Sequence, residues 1–476
     1  MRISSFDIFD TCLVRECGTP ENFFDILSLH AFNGEVEDCV RQGFVMERIK
    51  TQRDIQSKEM TLRDIWSEFT WTHPQLKSND ELFLMEQQIE REMLSPVLSV
   101  LIRVKERRDK GDKIVYISDM YHSSVFLMEV MREFNFFQEG DSLYVSCECN
   151  AEKGDGMLFK YVREREKSSF HCWHHFGDNI QRDYLAPKKL GIHTTLINHA
   201  YTPYQSFWLN SDYSVGLKIN SIVAGISRSV CHSLPDNKHK AIIADVAAPL
   251  FASFVYRVMN DASQKGIKRL YFCARDAYTI YLIAKKYHAL FPEMMIQYLY
   301  ISQKALYEGN RDALLQYLVQ EGVAAFDKSA AIVDIRSTGR TIMCLNQLLE
   351  SNGYCRIKGY YFEIINTANV PYAPSELNME WKDDYACLNP NCNRIASFWQ
   401  LYEMFFSIHN QERTIDYCLS EEGKAYPVFD KGGISDMGER KVGNAFVDNP
   451  KKWEHIHQET VFSFVEKYID TAMYKY

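Results

Sequence analysis

The chain has 476 residues, which is too long for a single hydrophobic core, so two or three domains are expected. Hydrophobic residues make up 46% of the sequence and charged residues 25%, proportions that are ordinary for a soluble globular protein. The net charge of −9 argues against a general affinity for nucleic acid or for anionic membranes.

The cysteines and the N-terminal residues indicate the cellular compartment. The 13 cysteines are odd in number and scattered along a long chain, which fits reduced thiols in a cytoplasm better than a disulfide framework. The first residues lack the long apolar core of a signal peptide, and we find no apolar run long enough to span a bilayer. A cytoplasmic protein without membrane insertion is therefore expected.

Strands and helices alternate over the first part of the chain. Residues 3–9 are predicted to form a short buried strand followed by a loop, and residues 20–110 are mostly helical in pattern, with a break at Pro96. Further strands are predicted at 113–117, 142–147, 170–176 and 193–197. This alternation predicts a doubly wound parallel sheet, a Rossmannoid fold, in a first domain over residues 1–197.

A second alternating region follows a segment of little periodicity. Residues 198–240 are interpreted as a connection, and residues 241–476 as a second α/β domain whose C-terminal part is mostly helical. The predicted helices are 247–263, 277–287, 311–320 and 341–351, and the predicted strands are 269–273, 297–301, 330–334 and 357–363. The fold class predicted for the chain is therefore α/β.

Polar side chains in the first domain follow the predicted strands. The carboxyl ends of parallel strands line the ligand crevice of such a sheet. The residues that fall there are Asp7, Ser118, Lys153, Asp178 and Asp183. A carboxylate can attack phosphorus only if nearby charge is neutralised, in part by lysine and more fully by a divalent metal. Mg²⁺ prefers oxygen ligands, and Asp7 and Asp178 from separate strand ends would suit it.

Four segments in this order resemble the motifs of the haloacid dehalogenase (HAD) superfamily. They are Phe6-Asp7-Ile8-Phe9-Asp10-Thr11, Ile117-Ser118-Asp119, residues 153–159 beginning with Lys153, and residues 177–183. The resemblance implies a hydrolase, most readily a phosphatase, in which Asp7 forms an aspartyl-phosphate, Ser118 binds the phosphate and Lys153 neutralises charge. It also implies a Mg²⁺ site. The implied ligands are Asp7, the backbone carbonyl of Phe9, Asp178 and, in a supporting role, Asp183.

One position departs from the HAD phosphatases, in which a second aspartate two residues after the nucleophile acts as general acid/base. That position is Phe9 here, as in haloacid dehalogenases, and the acid stands one residue later at Asp10. One alternative is that Asp10 takes the acid/base role through an altered loop. Another is that the leaving group needs no proton, or that the domain has lost turnover. In the third, Asp10 only caps the loop. The spacing from Asp10 to Ser118 also leaves room for a helical cap, about residues 18–100, that would exclude water and select the substrate.

Residues 331–341 of the second domain are predicted to run from a buried strand through a loop into a helix. They resemble the phosphate-and-ribose loop of type I phosphoribosyltransferases, in which a helix N-terminus binds phosphate. Val333 and Arg340 depart from that pattern, replacing an acid and a small residue. The candidate ligand-binding residues are Asp334, Ser337, Thr338, Gly339, Arg340 and Thr341, with Arg275 and Asp276 from a neighbouring junction. The alternatives are a capped strand-to-helix junction and a structural ion pair.

The whole layout resembles a group of large bacterial HAD proteins whose genes tend to lie among surface-polysaccharide genes. The shared segments are 5–11, 117–121 and 272–276. This resemblance implies a phosphosugar or nucleotide-sugar substrate and association with polysaccharide-synthesis enzymes. Three hypotheses follow: a Mg²⁺-dependent phosphohydrolase, a C-terminal transferase or nucleotide-sugar-binding module beside a degenerate HAD domain, and a non-catalytic scaffold in polysaccharide synthesis.

Overall fold

The computed structural model describes residues 2–55, 60–199, 201–210, 219–235, 240–337, 339–364, 385–389, 413–430 and 450–473. The chain divides into two compact units. The N-terminal unit is Met1–Val246 with Lys467–Tyr476, and the C-terminal unit is Ala247–Glu466. Each unit contains a five-stranded parallel sheet with helices, which confirms the predicted α/β fold class.

The N-terminal unit is organised around a buried central strand. Its strands are β1 (Ile3–Phe6), β2 (Leu13–Arg15), β3 (Leu94–Pro96), β4 (Lys113–Ser118), β5 (Ser142–Val145), β6 (Trp173–Gly177) and β7 (His193–Leu196). The parallel sheet has the order β5-β4-β1-β6-β7. Because β1 lies between β4 and β6 and every residue of it is buried, it forms the middle of the unit.

Apolar side chains cover both faces of this sheet. Phe6, Tyr116 and Phe176 belong to a core cluster on one face, and Ile3 and Trp173 belong to a second cluster. The alternation of side chains along a strand explains this division, since Ile3 and Phe6 point to opposite faces. A sheet buried on both sides is the arrangement that a doubly wound fold requires.

Twelve helices are described in the N-terminal unit. They are α1 (Pro20–His30), α2 (Asp38–Asp54), α3 (Leu62–Glu68), α4 (Asn79–Glu92), α5 (Leu98–Asp109), α6 (Ser124–Glu133), α7 (Ser146–Cys149), α8 (Met157–Glu166), α9 (Ala186–Lys189), α10 (Pro203–Asn210), α11 (Ile219–Ser233) and α12 (Lys240–Ile242). A π-helical turn, Ile180–Leu185, precedes α9. Local sequence explains several starts: Thr61 and Ser78 each form a capping box, with Asp64 and Glu81 respectively.

Helices α1 to α4 form an insertion between two short strands. β2 pairs with β3 in antiparallel fashion, with Leu13 opposite Pro96, so the chain leaves the core at β2 and returns beside it at β3. Pro96 ends β3, and the predicted break at this residue separates α4 from α5. The insertion occupies the position expected for the helical cap.

Two segments of the N-terminal unit differ from the predicted elements. Residues 142–147 are strand only to Val145, and the chain then turns into α7. The segment 198–240, read as a connection of little periodicity, contains α10 and α11 and lies in the N-terminal unit where it is described. Apolar residues recur at helical spacing in α11, at Ile222, Ile226 and Val230, so this helix was readable from the sequence, although its polar residues are buried as well.

The C-terminal unit has its own sheet. Its strands are β8 (Arg269–Cys273), β9 (Met295–Leu299), β10 (Ala330–Ser337), β11 (Lys358–Ile364), β12 (Tyr385–Asn389), β13 (Thr414–Leu419) and β14 (Ala425–Phe429). Its helices are α13 (Ala248–Gln264), α14 (Tyr278–Tyr287), α15 (Gln303–Glu308), α16 (Arg311–Gln320), α17 (Arg340–Ser351) and α18 (Pro450–Met473), the last continuing into Lys467–Tyr476 of the N-terminal unit. The parallel sheet has the order β12-β11-β10-β8-β9, and β13 and β14 form an antiparallel pair.

One helical run among the described residues, Lys240–Gln264, is long and apolar enough to cross a membrane by length and composition. The expectation that the chain has no such run is therefore wrong. Of its most apolar window, 67% is buried inside the protein, which is the behaviour of a core helix in a soluble protein.

Candidate active site

The order of strands in the N-terminal sheet places two aspartates on either side of one crevice. Numbered along the chain, the five strands lie in the order 3-2-1-4-5, so the direction of the connections reverses between β1 and β6. Ligands of open α/β sheets bind at such a reversal, outside the carboxyl ends of the strands. Asp7 directly follows β1 and Asp178 directly follows β6. The backbone N–H of Asp7 donates to the carbonyl of Phe176 at 2.9 Å, which ties the two strand ends together.

Lys153 occupies the centre of this crevice. Its Nζ donates to Asp7 Oδ1 and to Asp183 Oδ1, each at 2.6 Å. All three side chains are buried. Its backbone N–H donates to Asp119 Oδ1 at 3.0 Å, which fixes the start of the lysine segment against the end of β4. The candidate third-motif residue therefore contacts the candidate nucleophile directly.

The Thr11 hydroxyl lies between two of the carboxylates. Thr11 Oγ1 is 3.1 Å from Asp7 Oδ2 and 3.2 Å from Asp178 Oδ1. A hydroxyl has one hydrogen to donate, so it can satisfy only one of these oxygens at a time. Thr11 thus links the first and fourth candidate motifs, a contact that sequence reasoning did not assign.

A chain of buried hydrogen bonds reaches Asp183 from residues of β1 and β6. Trp173 Nε1 donates to Ser5 Oγ at 2.6 Å, and Ser5 Oγ lies 2.7 Å from His175 Nδ1. His175 Nε2 lies 3.2 Å from Asp183 Oδ1, and burial lowers the pKa of this histidine. A carboxylate accepts only, so Nε2 carries the proton of the neutral ring, and Nδ1 accepts the Ser5 hydrogen. The bonds therefore run in one consistent direction towards the crevice.

Ser118 takes the position expected for a phosphate ligand. It is the last residue of β4, it is buried, and it pairs with Val145 of β5. Since β4 is hydrogen-bonded to β1, with Phe6 opposite Tyr116, the carboxyl end of β4 adjoins Asp7. The structure thus brings the ends of β1, β4 and β6 to the same edge of the sheet.

The charges in the crevice are unequal, with Asp7, Asp178 and Asp183 facing Lys153. Burial raises the pKa of Asp7, and the Asp183 and Asp178 carboxylates raise it further against the opposing effect of Lys153. Burial alone would raise the pKa of Asp183, but the Lys153 ammonium and the His175 bond outweigh it and lower that pKa. Burial likewise opposes the charge of Lys153, yet Asp7 and Asp183 raise its pKa. The site contains more negative charge than one lysine neutralises.

A divalent cation fits this donor set. Asp7, Asp178 and Asp183 offer carboxylate oxygens that lie within 4.8 Å of one another. Oxygen donors are those that hard cations such as Mg²⁺ prefer. A cation here would offset the repulsion that raises the pKa of Asp7, and would favour the ionised form that a nucleophile needs.

The residues after the nucleophile are held by two arginines. Asp10 has a left-handed backbone, with φ of 57°, and its Oδ1 accepts from Arg228 Nη1 at 2.6 Å. Phe9 is half-buried, and the Arg15 guanidinium lies 4.4 Å from the centre of its ring. Arg15 in turn donates to Glu90 Oε1 of α4 at 2.8 Å. Phe9 and Asp10, the two positions that differ from the phosphatase pattern, are therefore each held by a specific arginine.

The candidate ligand residues of the C-terminal unit also lie near a reversal in strand order. Its strands run 2-1-3-4-5 across the sheet, so the reversal falls between β8 and β10. Asp276 follows β8, and Asp334 belongs to β10. Burial, followed by the nearby Asp276 carboxylate, raises the pKa of Asp334 to about 7. Arg275 precedes Asp276 in the same loop, and its carbonyl accepts from Tyr298 Oη at 3.4 Å.

The predicted phosphate loop is shorter than expected. Ser337 is the last residue of β10, whereas the strand was predicted to end at Asp334. Thr338 lies outside the described residues. Gly339, with φ of 79°, caps α17, which begins at Arg340 and buries the Thr341 side chain. The helix N-terminus is present, but only two residues separate β10 from α17.

Sequence reasoning missed several residues that the crevice depends on. They are Ser5, Thr11, Asp119, His175 and Arg228. Thr11 and Asp119 stand inside the recognised motifs, so their positions alone were a signal. Ser5 and His175 were visible as polar residues in strands that are otherwise buried. Nothing in the sequence marks Arg228, because it lies more than two hundred positions from Asp10.

No protein-family model matches the chain, and no curated protein matches it. Solved structures of HAD proteins are similar to it at low identity. A HAD phosphatase from Thermococcus onnurineus is 16% identical, with a TM-score of 0.32, over 45% of this chain and 89% of its own. A HAD family enzyme from Bacteroides thetaiotaomicron, in complex with magnesium and inorganic phosphate, is 13% identical, with a TM-score of 0.32, over 42% and 94%. A 2-haloacid dehalogenase from Pseudomonas syringae is 14% identical, with a TM-score of 0.31, over 42% and 87%.

Proposed function

We propose that the N-terminal unit is a Mg²⁺-dependent phosphohydrolase of the HAD type that acts on a phosphosugar or a nucleotide-sugar-related metabolite. One observation carries the proposal. Lys153 Nζ lies 2.6 Å from Asp7 Oδ1 at the reversal of strand order, beside Asp178 and Asp183. A carboxylate with a buried ammonium at this distance has the charge partner that attack on an anionic phosphate requires.

The proposed reaction has two displacements at phosphorus. An Asp7 oxygen forms a bond to phosphorus as the bond to the leaving oxygen breaks, and that oxygen takes up a proton. Water then attacks the aspartyl-phosphate, the bond between phosphorus and Asp7 breaks, and phosphate leaves. Lys153 would offset negative charge in both steps, and Ser118, which ends β4, would donate to a phosphate oxygen. A bound Mg²⁺ supplies further neutralisation of the phosphate charge.

The proton that the leaving oxygen takes up has two candidate sources, Asp10 and the solvent. Asp10 would be the donor if it replaces the acid missing at Phe9. The structure engages one Asp10 oxygen with Arg228 and leaves the side chain 41% exposed. A leaving group of low pKa would need no protein acid. A substrate series with leaving groups of rising pKa distinguishes protonation by Asp10 from departure without a protein acid. Only general-acid catalysis sustains the rate for poor leaving groups.

The substrate class and the cellular setting rest on the resemblance to large bacterial HAD proteins. We propose a phosphosugar substrate, a cytoplasmic location and association with polysaccharide-synthesis enzymes. The 11 cysteines in the described part of the chain are free, as suits a reducing compartment.

A comparison of wild type with Asp7→Asn tests the activity. Both proteins are screened with Mg²⁺ against p-nitrophenyl phosphate and a panel of phosphosugars and nucleotide sugars, with phosphate release as the readout. Turnover that is lost in Asp7→Asn supports the proposal. Equal phosphate release by the two proteins contradicts it. A folded wild type that releases no phosphate would favour the alternative of a non-catalytic scaffold in polysaccharide synthesis.

We propose as a second function that the C-terminal unit binds a phosphate-bearing ligand such as a diphosphosugar. The reversal of strand order between β8 and β10, where the Asp276 carboxylate is near enough to raise the pKa of the buried Asp334, favours this. The carboxylates are suited to sugar hydroxyls, and the α17 N-terminus to phosphate. Calorimetry with diphosphosugars and phosphoribosyl pyrophosphate tests it, with Thr338→Ala and Thr341→Val as variants. Absent binding, or binding that both variants leave unchanged, contradicts this function.

A further inference from the structure

Helix α11 packs directly on the segment that follows β2. A Cβ atom on Gly225 would lie 2.3 Å from the backbone nitrogen of Gly18 and 2.4 Å from the carbonyl oxygen of Glu16. A Cβ atom on Gly18 would lie 2.1 Å from the carbonyl oxygen of Ser221. Only glycine permits this approach at the two positions. The backbone of α11 is therefore in contact with residues 16–18, which directly follow β2, the strand that the turn at Asp10 leads into.

The next turn of the same helix presents Arg228 to Asp10. Arg228 lies three residues after Gly225 and so falls on the same face of α11. Its Nη1 donates to Asp10 Oδ1 at 2.6 Å, and its side chain is only 8% exposed. The guanidinium lies 4.7 Å from the centre of the Tyr201 ring, and the Tyr201 hydroxyl donates to the carbonyl of Gly18. The arginine is thus packed against a ring that is itself bonded to the segment after β2.

Asp10 needs external support. Its φ of 57° lies in the left-handed region, which a residue with a Cβ atom adopts at a cost. Its N–H donates to the carbonyl of Leu13 at 2.7 Å, closing a tight turn. The next residue, Thr11, places its hydroxyl between Asp7 and Asp178. A change in the backbone at Asp10 would therefore move the hydroxyl that links the two carboxylates.

We propose that Arg228 is a positioning residue of the candidate active site: by holding the Asp10 carboxylate, it stabilises the left-handed turn and so sets the Thr11 hydroxyl between Asp7 and Asp178. Arg228 acts through Asp10 and not on the substrate. Helix α11 is in consequence part of the site's framework. The kinetic part of this inference rests on the proposed phosphohydrolase function, whereas the turn itself does not.

A substitution cycle at positions 10 and 228 tests the inference. The variants are Arg228→Gln, Arg228→Lys, Asp10→Gly and the Asp10→Gly/Arg228→Gln double variant, with Arg132→Gln on the exposed face of α6 as control. Turnover of p-nitrophenyl phosphate with Mg²⁺ and the thermal midpoint are measured for each. Glycine adopts positive φ without support, so a role in holding the turn predicts that Arg228 matters less once Asp10 is glycine.

The expected result is a loss of dependence on Arg228. In the wild-type background, Arg228→Gln lowers kcat by about tenfold with KM within about threefold, and Arg228→Lys recovers part of the loss. In the Asp10→Gly background the same substitution changes kcat by less than about twofold, and the two effects on the thermal midpoint are likewise non-additive. An equal loss in both backgrounds overturns the inference.

Two other outcomes are separable. Complete loss of turnover in a folded Asp10→Gly variant overturns the inference, because it makes Asp10 a reacting group and not the support of a turn. If wild type shows no turnover at all, the proposed function fails, and the thermal midpoints alone decide the inference: additive effects overturn it, and non-additive effects support it.

Discussion

His175 and Asp183 are joined by a bond of 3.2 Å between Nε2 and Oδ1, and this bond sets which oxygen of Asp183 faces Lys153. The same oxygen accepts from Lys153 Nζ, while Asp183 Oδ2 accepts from the backbone N–H of Asn179. The imidazole therefore supports, from the interior of the sheet, the lysine that contacts the candidate nucleophile.

Replacing His175 with phenylalanine should weaken this support. The ring volume is kept, but Asp183 and Ser5 each lose a buried partner, which typically costs about 1–3 kcal/mol of stability. If Lys153 shifts in response, kcat should fall by about tenfold while KM changes little. His175→Gln, which keeps one N–H donor, should lie between wild type and His175→Phe. Steady-state kinetics and urea unfolding check both parts.

His174→Phe is the matched control for His175. His174 is the preceding residue on β6, points to the other face, and bonds Thr195 Oγ1 at 2.8 Å, away from the crevice. It should leave kcat close to wild type. An unchanged kcat in a folded His175→Phe protein would show that the buried chain of hydrogen bonds does not affect Lys153.

Divalent cations should stabilise the N-terminal unit through the three carboxylates. At about 100 times its dissociation constant, a bound metal adds about 2.7 kcal/mol to the free energy of unfolding. Asp178→Asn removes one ligand and should reduce the rise in thermal midpoint on adding Mg²⁺, whereas Asp109→Asn at an exposed site should not. A rise that is identical in wild type and Asp178→Asn would place the cation elsewhere.

The buried ion pair between α2 and α4 of the insertion should stabilise the protein less than the loss of one partner would suggest. Arg48 Nη2 donates to Glu86 Oε1 at 2.6 Å, both side chains are fully buried, and Trp66 Nε1 donates to Glu86 Oε2 at 3.0 Å. Glu86→Gln leaves the buried Arg48 charge uncompensated, so the free energy of unfolding should fall by about 3–5 kcal/mol. The double variant Arg48→Met/Glu86→Leu should recover most of that loss. Denaturant unfolding of the single and double variants measures it, and additive losses would argue against coupling.

Asp334 should make the C-terminal unit less stable as pH rises. Burial and Asp276 raise its pKa from 3.8 to about 7 in the folded state, so between these pH values the folded protein binds more protons than the unfolded chain. Stability from this group is present at low pH and is lost as pH rises towards 7. The thermal midpoint of Asp334→Asn relative to wild type should therefore increase from pH 4 to pH 8. Asp312→Asn, at an exposed position of α16, is the control, and a pH-independent difference would contradict the assignment.

The sequence predicted much of the N-terminal unit because its signals are local. β1 is a short apolar run, and Asp7, Ser118 and Asp178 stand where their strands end. The end of a strand is readable from the chain, and parallel topology then brings such ends to one edge. The structure brings Lys153 to the same place, as its position in the motif order suggested.

The parts that were missed depend on contacts between distant residues or on the position of an element in the fold. Arg228 reaches Asp10 because α11 packs against residues 16–18, a contact that no local pattern indicates. The length of β10 was misjudged because Ile335 and Ser337 extend it past the acidic residue that was taken as its end. Position in a sheet or bundle, and not local preference, decided each of these cases.

The central position of β1 has a consequence for how the crevice can form during folding. Its hydrogen-bonded neighbours are β4, which begins at Lys113, and β6, which begins at Trp173. The candidate nucleophile is synthesised well before its partner Asp178, which cannot approach until both crossovers have been made. Pairings between such distant segments are slow to form. We expect the capacity to bind a metal to appear late, together with the completed sheet. A chain interrupted before β6 would contain Asp7 but could not form the cluster of carboxylates.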